Sequence, residues 1–396
     1  MKRWRGIGPG VIVAAAFIGP GTVTTATLAG ARYGATLLWA LLFATVATIV
    51  LQEMSARLGL TTRAGLGQAL RATPGPRWLG PTLAILAVTA VVAGAAAFEA
   101  GNLTGTGLGL EGVTGVPAKF WVLIGAALAG ALLWTGRYRL VERVLMVCVA
   151  VMGLMFLATA ILVIPRVPAL LAGLTIPRLP DGAAVTALGL IGTTIVPYNL
   201  FLHAAVVAER WESRDDLPTA RLDLVVAIGF GGLVSAAILV TAAAALNGQQ
   251  IESVADMAVQ LEPLLGSWAS KAFTVGFAAA GISSAITAPL AAAYATLDLL
   301  GRGRDVRAPV ARFVFGGTML VGALVALLGT RPVPLILFAQ VLNGLVLPII
   351  AIALLVAMND RRRLGNDVNG PVANLAGGAV VLLCLGLGIR MILGAF

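Results

Sequence analysis

Long apolar segments follow one another along this chain of 396 residues, and short polar stretches separate them. Eleven of these segments are about 20 residues or longer and carry almost no charge, a pattern that predicts membrane-spanning helices. The predicted helices cover residues 9–29, 34–58, 81–103, 117–135, 142–164, 183–207, 222–246, 268–299, 309–329, 332–357 and 371–394. A transmembrane β-barrel would instead show alternating segments of about ten residues. The pattern therefore predicts an all-α, polytopic membrane protein.

Two of the predicted helices contain a helix-breaking sequence near the middle. Gly19-Pro20-Gly21-Thr22 interrupts the first helix, and Val196-Pro197-Tyr198-Asn199 interrupts the sixth. Proline lacks the backbone N–H and clashes with the preceding turn, while glycine resists unwinding least. The two breaks are five helices apart, as expected for two inverted repeats of five helices that each open with a discontinuous helix.

This spacing predicts one transmembrane domain over residues 1–396. Its first repeat covers about 9–164, its second about 183–357, and an extra helix covers 371–394. Unwound backbone frees amides and carbonyls that lipid cannot satisfy, so the breaks must line a cavity enclosed by protein. A single proline would be read as a simple kink, whereas two matching breaks predict a binding site at mid-membrane.

Composition and charge agree with this architecture. The chain is 59% hydrophobic and 11% charged, with a mean hydropathy of +0.98. Twenty of the 27 Lys and Arg residues fall on the side that also holds the N-terminus, which is the positive-inside pattern and not a nucleic-acid footprint. We expect a bacterial cytoplasmic membrane, a cytoplasmic N-terminus and an external C-terminus. The lone Cys148 and Cys384 favour neither disulfides nor a cysteine metal site, and no cofactor is expected.

Five segments resemble the Nramp family, whose known members are proton-coupled importers of divalent transition metals with the LeuT-type fold. GPGVIVAAAFIGPGT resembles the family's first helix and TTIVPYNLFLHAAVV its sixth. LLWALLFATVATIVLQEMSARLGL, FAAAGISSAITAPLAA and FAQVLNGLVLPIIAIALLVAMNDRRRLG resemble the second, eighth and tenth. The resemblance covers nearly the whole chain and implies a LeuT-type fold with broken helices 1 and 6 and an eleventh helix outside the repeats.

The chain departs from the family at the metal ligands. The family's Asp-Pro-Gly-Asn motif has Gly19 and Thr22 at its ligand positions here. In the Met-Pro-His-Asn motif, Val196 replaces the methionine sulfur and Tyr198 the first histidine. An aspartate of the third helix corresponds to Ala96. The anionic and soft ligands are therefore both missing.

Neutral oxygens remain at the positions that the resemblance marks as the site. The predicted substrate-binding residues are Gly19, Thr22, Thr194, Val196, Tyr198, Asn199 and Gln340, with carbonyls near Ala16, Phe17 and Thr193. The side chains available to a metal are those of Thr22, Asn199 and Gln340. Carbonyl, hydroxyl and water oxygens suit hard cations such as Mg²⁺, or Mn²⁺. A divalent ion without an anionic ligand faces a large desolvation cost, so a small polar solute stays open as the alternative substrate.

Two ionisable residues within predicted membrane helices are candidates for a proton carrier or a counter-charge. Glu99 is the most deeply placed carboxylate, and an intramembrane acid is a functional hypothesis by default. His203, the only histidine, matches a family position and could relay protons, although a histidine held in the core is the alternative. Glu53 is expected to pair with Arg57 one helical turn away. The segment 101–112 is expected to end the third helix and form an external turn.

These observations predict a secondary-active or facilitative transporter that works by alternating access, with weak or absent proton coupling. An intramembrane enzyme would need converging acids, a Ser–His pair or a metal cluster, which one histidine and one deep acid do not provide. A channel would use rings from several subunits and show unsaturable flux. The expected partners are the substrate and the lipid bilayer, and no oligomer is required.

Overall fold

The computed structural model describes residues 18–136, 139–163, 167–211, 213–303, 305–329 and 331–393. Within these ranges the chain is helical, and no strand is assigned there. The helices are α1 Pro20–Tyr33, α2 Leu38–Thr62, α3 Leu66–Arg71, α4 Leu79–Thr114, α5 Ala118–Thr135, α6 Arg139–Leu162, α7 Val167–Thr175, α8 Ala183–Thr194, α9 Pro197–Arg210, α10 Leu217–Ala245, α11 Val254–Ala258, α12 Glu262–Leu265, α13 Ala269–Leu300, α14 Pro309–Leu328, α15 Pro332–Met358, α16 Arg361–Leu364 and α17 Pro371–Leu393.

Ten helical stretches of the described chain are long and apolar enough to cross a membrane. A short 3₁₀ turn over Gly34–Leu37 joins α1 to α2, so these two predicted helices form one continuous stretch, Pro20–Thr62. Each of the eleven predicted helices thus has a counterpart, the first of them from Pro20 onward. The predicted first half, residues 9–17 with the carbonyls of Ala16 and Phe17, lies outside the described residues.

The predicted interruption of the sixth helix is confirmed. Helix α8 ends at Thr194, and α9 begins at Pro197 as its first helical residue. Between them, Ile195 (φ −94°, ψ 83°) and Val196 (φ −82°, ψ 114°) leave the helical region. Proline at the first helical position lacks a donor that would in any case have no intrahelical acceptor. The break therefore costs the chain little at α9, and it leaves the end of α8 in the interior of the bundle.

Helix α1 starts in the same way. Gly19 is extended (φ −97°, ψ 176°), and Pro20 is the first helical residue after it. Across the breaks, the packing is reciprocal, because α1 packs on α10 while α9 packs on α2. Among the predicted helices, α1 and α2 are the first and second, α9 is the second half of the sixth, and α10 is the seventh. The first helix therefore packs on the seventh, and the sixth packs on the second. This reciprocal packing is what two inverted five-helix repeats produce.

The prediction for residues 101–112 is wrong, because α4 continues without interruption to Thr114. Glycines that would weaken an isolated helix here permit close helix packing in the bundle. Gly105 abuts the ring of Pro20, and Gly109 abuts the backbone of Ala278 in α13. The glycine-rich sequence thus marks a tight α4–α13 contact next to the break in the first helix.

The predicted pairing of Glu53 with Arg57 is confirmed, with an N–O distance of 3.0 Å. Glu53 also accepts a hydrogen bond from Arg221 at the start of α10, at 2.6 Å. Arg57 continues the network to the loop before α17, donating to Asn369 Oδ1 at 2.8 Å and to the carbonyl of Asp367 at 2.6 Å. One end of α2 is therefore tied to α10 and to this loop.

Candidate functional site

The two helix breaks face each other in the interior of the bundle. Thr22 lies in the first turn of α1, and Thr193 lies at the end of α8. Their hydroxyl oxygens are 2.9 Å apart and share a hydrogen bond, with both residues only 2% exposed. The predicted site residue Thr22 therefore sits where the first and sixth helices meet. The Thr193 hydroxyl was not predicted, although its carbonyl was.

Gln340 of α15 closes one side of this meeting point. Its side-chain amide lies against Gly21, where any Cβ atom would overlap it. Gly192 of α8 likewise lies against the backbone carbonyl of Gln340. The amide nitrogen donates to the Ile336 carbonyl at 3.2 Å, and Oε1 has no hydrogen-bond partner among the described residues. Because Gly21 and Gly192 have no side chains, Gln340 can lie close to the break with its Oε1 available as an acceptor.

The start of α9 supplies an amide without partners. Asn199 is fully buried, and neither its Oδ1 nor its Nδ2 has a hydrogen-bond partner in the described chain. The hydroxyl of Thr194 is also without a partner there, while its carbonyl accepts from Thr48 Oγ1 at 3.3 Å. Val196 between them is buried and offers only an apolar side chain. Buried polar atoms are normally satisfied, so these groups are available to a ligand.

Tyr198 and Glu99 lie close together on the α4 side of this region. The Tyr198 ring is buried and meets the Phe98 ring edge to face, with centroids 5.6 Å apart. Glu99 is fully buried, and its Cβ and Cγ lie against Gly322 of α14. The Tyr198 ring therefore packs against α4, and Glu99 is positioned between α4 and α14 beside it.

His203 lies one helical turn beyond Asn199 on α9. It is 1% exposed, and neither ring nitrogen has a hydrogen-bond partner among the described residues. It makes no hydrogen bond to Thr22 or Gln340. Of the predicted residues, Thr22 and Gln340 are therefore at the meeting point of the breaks, where Thr22 contacts Thr193 and the Gln340 amide lies against Gly21. Tyr198, Asn199 and His203 lie along the first two turns of α9.

Two residues beside Gly19 were missed by sequence reasoning. Ser284 Oγ of α13 lies 2.9 Å, and Asn102 Oδ1 of α4 lies 3.9 Å, from where a Cβ at position 19 would be. Asn102 could have been found from its spacing, because it lies three residues after Glu99 and so shares its helix face. Ser284 gave no comparable signal, since serine also occurs in helices as a small packing residue.

Apart from the carboxyl group of Glu99, the side chains of this region offer neutral oxygens and amides. The described residues contain no group of three or more His, Cys, Asp and Glu side chains that would hold a metal ion. The oxygens nearest the breaks belong to threonine, serine, asparagine and glutamine side chains and to backbone carbonyls. Oxygen ligands of this kind suit hard cations that keep part of their water shell, and the same groups can hydrogen-bond neutral polar solutes.

Comparison with solved structures identifies the fold. A crystal structure of a variant of the manganese transporter of Eremococcus coleocola matches with a TM-score of 0.78 at 22% identity, covering 97% of this chain and 85% of that one. Mhp1, a nucleobase-cation-symport-1 family transporter, matches with a TM-score of 0.62 at 15% identity, covering 99% and 94%. MhsT, solved in complex with L-phenylalanine, matches with a TM-score of 0.64 at 18% identity, covering 98% of both chains. The predicted LeuT-type architecture is therefore confirmed.

Sequence comparison identifies the family. The divalent metal cation transporter MntH of Acidiphilium cryptum is 31% identical over 402 residues, covering 98% of this chain and 90% of that protein. The protein of the same name from Deinococcus radiodurans is 30% identical, covering 96% and 88%. The family model described as natural resistance-associated macrophage protein-like, Nramp, matches residues 10–394. The chain therefore belongs to the Nramp family, a family of multi-pass membrane transporters and not of enzymes.

Proposed function

We propose that this protein transports divalent cations across the membrane by alternating access. The single observation that carries this proposal is the meeting of the two helix breaks at the Thr22–Thr193 hydrogen bond. The breaks bring backbone carbonyls and side-chain hydroxyls to one buried point, and discontinuous helices bind cations through such groups in this architecture. The names of the relatives, divalent metal cation transporters and a manganese transporter, support the same substrate class.

The altered ligands favour a hard or hydrated cation such as Mg²⁺, with Mn²⁺ also accepted. Mg²⁺ keeps several of its waters and needs few direct protein ligands. Oxygens of Thr22, Asn199 and Gln340 are suited to bind either the ion or those waters, since Asn199 and the Gln340 oxygen lack other partners among the described residues. No soft ligand is present at Val196 to select a thiophilic metal.

Proton coupling is proposed to be weak or absent. Positions 19, 22 and 96 carry glycine, threonine and alanine and therefore cannot titrate. Glu99 then serves as the counter-charge that offsets part of the desolvation cost of the cation from a distance, and His203 is a polar group one helical turn beyond Asn199. An inward pH gradient should not drive uphill Mg²⁺ uptake in proteoliposomes. Accumulation against the Mg²⁺ gradient would contradict this part of the proposal.

The helices that carry the breaks are proposed to move as one group. Helix α1 packs on α10, and α9 packs on α2, so these four elements form mutual contacts across the two repeats. Rocking of this group around the site would open it to each side in turn. With the basic residues concentrated on one side, we place the N-terminus in the cytoplasm and the C-terminus outside a bacterial cytoplasmic membrane.

A small polar organic solute is the second candidate substrate. Asn199 offers both a donor and an acceptor without partners in the described chain, and Tyr198 lies next to it. These groups would bind a neutral solute without the desolvation cost of a divalent ion. This candidate predicts that neither Mg²⁺ nor Mn²⁺ is transported.

The test is ion uptake into proteoliposomes that contain the purified protein, measured separately for Mg²⁺ and Mn²⁺. We expect saturable uptake of Mg²⁺ that is lost in a Thr22→Ala/Asn199→Ala double variant. Thr318→Val is a matched control, because its buried hydroxyl bonds only carbonyls of its own helix, Val314 and Phe315. If the folded wild-type protein transports neither Mg²⁺ nor Mn²⁺, cation transport is overturned in favour of an organic solute.

A further inference from the structure

Two arginine side chains lie at one end of α5, where this helix meets the start of α14. Arg312, in the first turn of α14, places its guanidinium group over the ring of Trp134, with Cζ 4.5 Å from the ring centroid. The Arg307 side chain lies against Gly136, which ends α5, since its Nε is 3.7 Å from the position of a Cβ atom there. Gly136 follows Trp134 by two residues, so both guanidinium groups contact the same end of α5.

These two positive charges are not balanced by a carboxylate within the described chain. Neither Arg307 nor Arg312 forms an ion pair there. Asp305, two residues before Arg307, instead accepts a hydrogen bond from the Arg307 backbone N–H at 2.9 Å. The Arg312 Nε is buried and has no hydrogen-bond partner among the described residues. Because like charges held near each other repel, a bound anion would stabilise this arrangement.

The surface around the two arginines is apolar and faces outward from the bundle. Trp134 is 54% exposed, and Phe313, the residue after Arg312, is 82% exposed. Two stripes of exposed apolar residues continue from them at helical spacing, formed by Leu320 and Leu324 on α14 and by Ala131, Ala127 and Leu123 on α5. Exposed aromatic side chains beside charged ones are typical of the boundary between membrane and water. The arginines therefore lie at the polar end of a lipid-facing surface.

The donor groups of this place suit a phosphate. An arginine guanidinium is planar and can donate two hydrogen bonds to one phosphate group. Its stacking on Trp134 fixes the orientation of the Arg312 group and leaves its edge free to donate. Both arginines belong to the side of the protein that carries most of the basic residues, which we place in the cytoplasm. Basic sites between helices on that side of a membrane bind anionic lipid headgroups.

We propose that Arg307 and Arg312 bind the phosphate of an anionic phospholipid, whose acyl chains lie along the exposed stripes of α5 and α14. The apolar stripes distinguish this ligand from a soluble phosphate, which would gain nothing from them. The site is separate from the meeting point of the helix breaks and goes beyond the proposed function. Helices α5 and α14 are outside the group of helices proposed to move, so the lipid holds the stationary part of the bundle at the membrane surface.

The test is native mass spectrometry of the purified protein in detergent, titrated with phosphatidylglycerol or with phosphatidylcholine of the same acyl chains. We expect the first phosphatidylglycerol to bind more tightly than phosphatidylcholine. An Arg307→Gln/Arg312→Gln variant should weaken phosphatidylglycerol binding about tenfold, because it loses charged hydrogen bonds to the phosphate. Arg361→Gln/Arg362→Gln is the matched control, since it removes two charges from exposed residues on the same side. Its affinity for phosphatidylglycerol should be unchanged.

Three results of this titration would overturn the proposal. The first is phosphatidylglycerol binding to the folded Arg307→Gln/Arg312→Gln variant as tightly as to the wild-type protein. The second is an equal loss of affinity in the control, which would mean that net charge alone attracts the lipid. The third is displacement of phosphatidylglycerol from the wild-type protein by excess inorganic phosphate, which would mean that the site binds a soluble anion.

A second measurement does not require the arginine variant to fold. Phosphatidylglycerol with brominated acyl chains should quench the tryptophan fluorescence of the wild-type protein more than brominated phosphatidylcholine does. Trp134→Phe should remove most of this difference, because Trp134 lies beside the proposed phosphate position. A difference that persists in full in the folded Trp134→Phe variant would contradict the proposal. Neither measurement involves transport, so a failure of the proposed function would be recognised separately.

Discussion

The hydroxyl groups of Thr22 and Thr193 lie 2.9 Å apart and join the start of α1 to the end of α8. Each comes from a different predicted repeat, at the point where its helix is interrupted. The contact therefore couples the two discontinuous helices directly. Any ligand between the breaks must approach or replace this hydrogen bond.

Thr22→Val removes the hydroxyl while keeping nearly the same shape. We expect the KM for Mg²⁺ uptake to rise about tenfold, since an oxygen contact to an ion is lost, and the free energy of unfolding to fall by about 1 kcal/mol. Uptake kinetics and chemical denaturation measure the two effects. An unchanged KM in the folded variant would remove Thr22 from the site.

Gly21 is predicted to accept no larger residue without loss of transport. A Cβ at this position overlaps the side-chain amide of Gln340. Gly21→Ala should therefore displace that amide and reduce Mg²⁺ uptake to the level of Gln340→Ala. The double variant should be no worse than either single variant, because both remove the same interaction. Additive losses in uptake would mean that the two residues act separately.

The sequence allowed the helices and both breaks to be predicted, because apolar length and proline have strong local effects. The error in the third helix came from reading glycines as a turn. In the folded chain, Gly105 and Gly109 are buried against Pro20 and Ala278, and this packing is invisible in local sequence. Thr22 and Gln340 were predicted from motif positions, whereas Ser284 depends on which face of α13 meets α4, which only the packed structure fixes.

The two ion pairs near the end of α2, Glu53–Arg57 and Arg214–Asp367, are predicted to stabilise the fold unequally. Arg57 is 8% exposed at its side chain and pairs with Glu53, while Arg214 is 64% exposed and pairs with Asp367. Glu53→Gln should lower the free energy of unfolding by about 2 kcal/mol, because it leaves a nearly buried arginine without its carboxylate. Arg214→Ala should cost at most about 1 kcal/mol. Thermal unfolding of the two variants checks this order, and equal effects would contradict it.

Gln260 is predicted to hold the segment before α13 against the bundle. Its Nε2 donates to Thr27 Oγ1 at 2.9 Å and its Oε1 accepts from Thr241 Oγ1 at 3.0 Å, so it joins α1 to α10. Gln260→Ala leaves these buried threonines short of a partner and should lower the free energy of unfolding by about 1–3 kcal/mol. It should also increase the labelling of Thr24→Cys by a polar thiol reagent, in a background where Cys148 and Cys384 are replaced. Unchanged labelling would show that Gln260 does not hold this segment against α1.

The central claim, that the meeting point of the helix breaks binds a divalent cation through neutral oxygens, is tested most directly by calorimetric titration of purified protein with Mg²⁺ and, separately, Mn²⁺. The account predicts saturable binding of Mg²⁺ to the wild-type protein. It further predicts that this binding is absent from a folded Thr22→Ala/Asn199→Ala variant and retained by the Thr318→Val control. Mg²⁺ binding that persists unchanged in the double variant, or no binding of either ion to the wild-type protein, would contradict it.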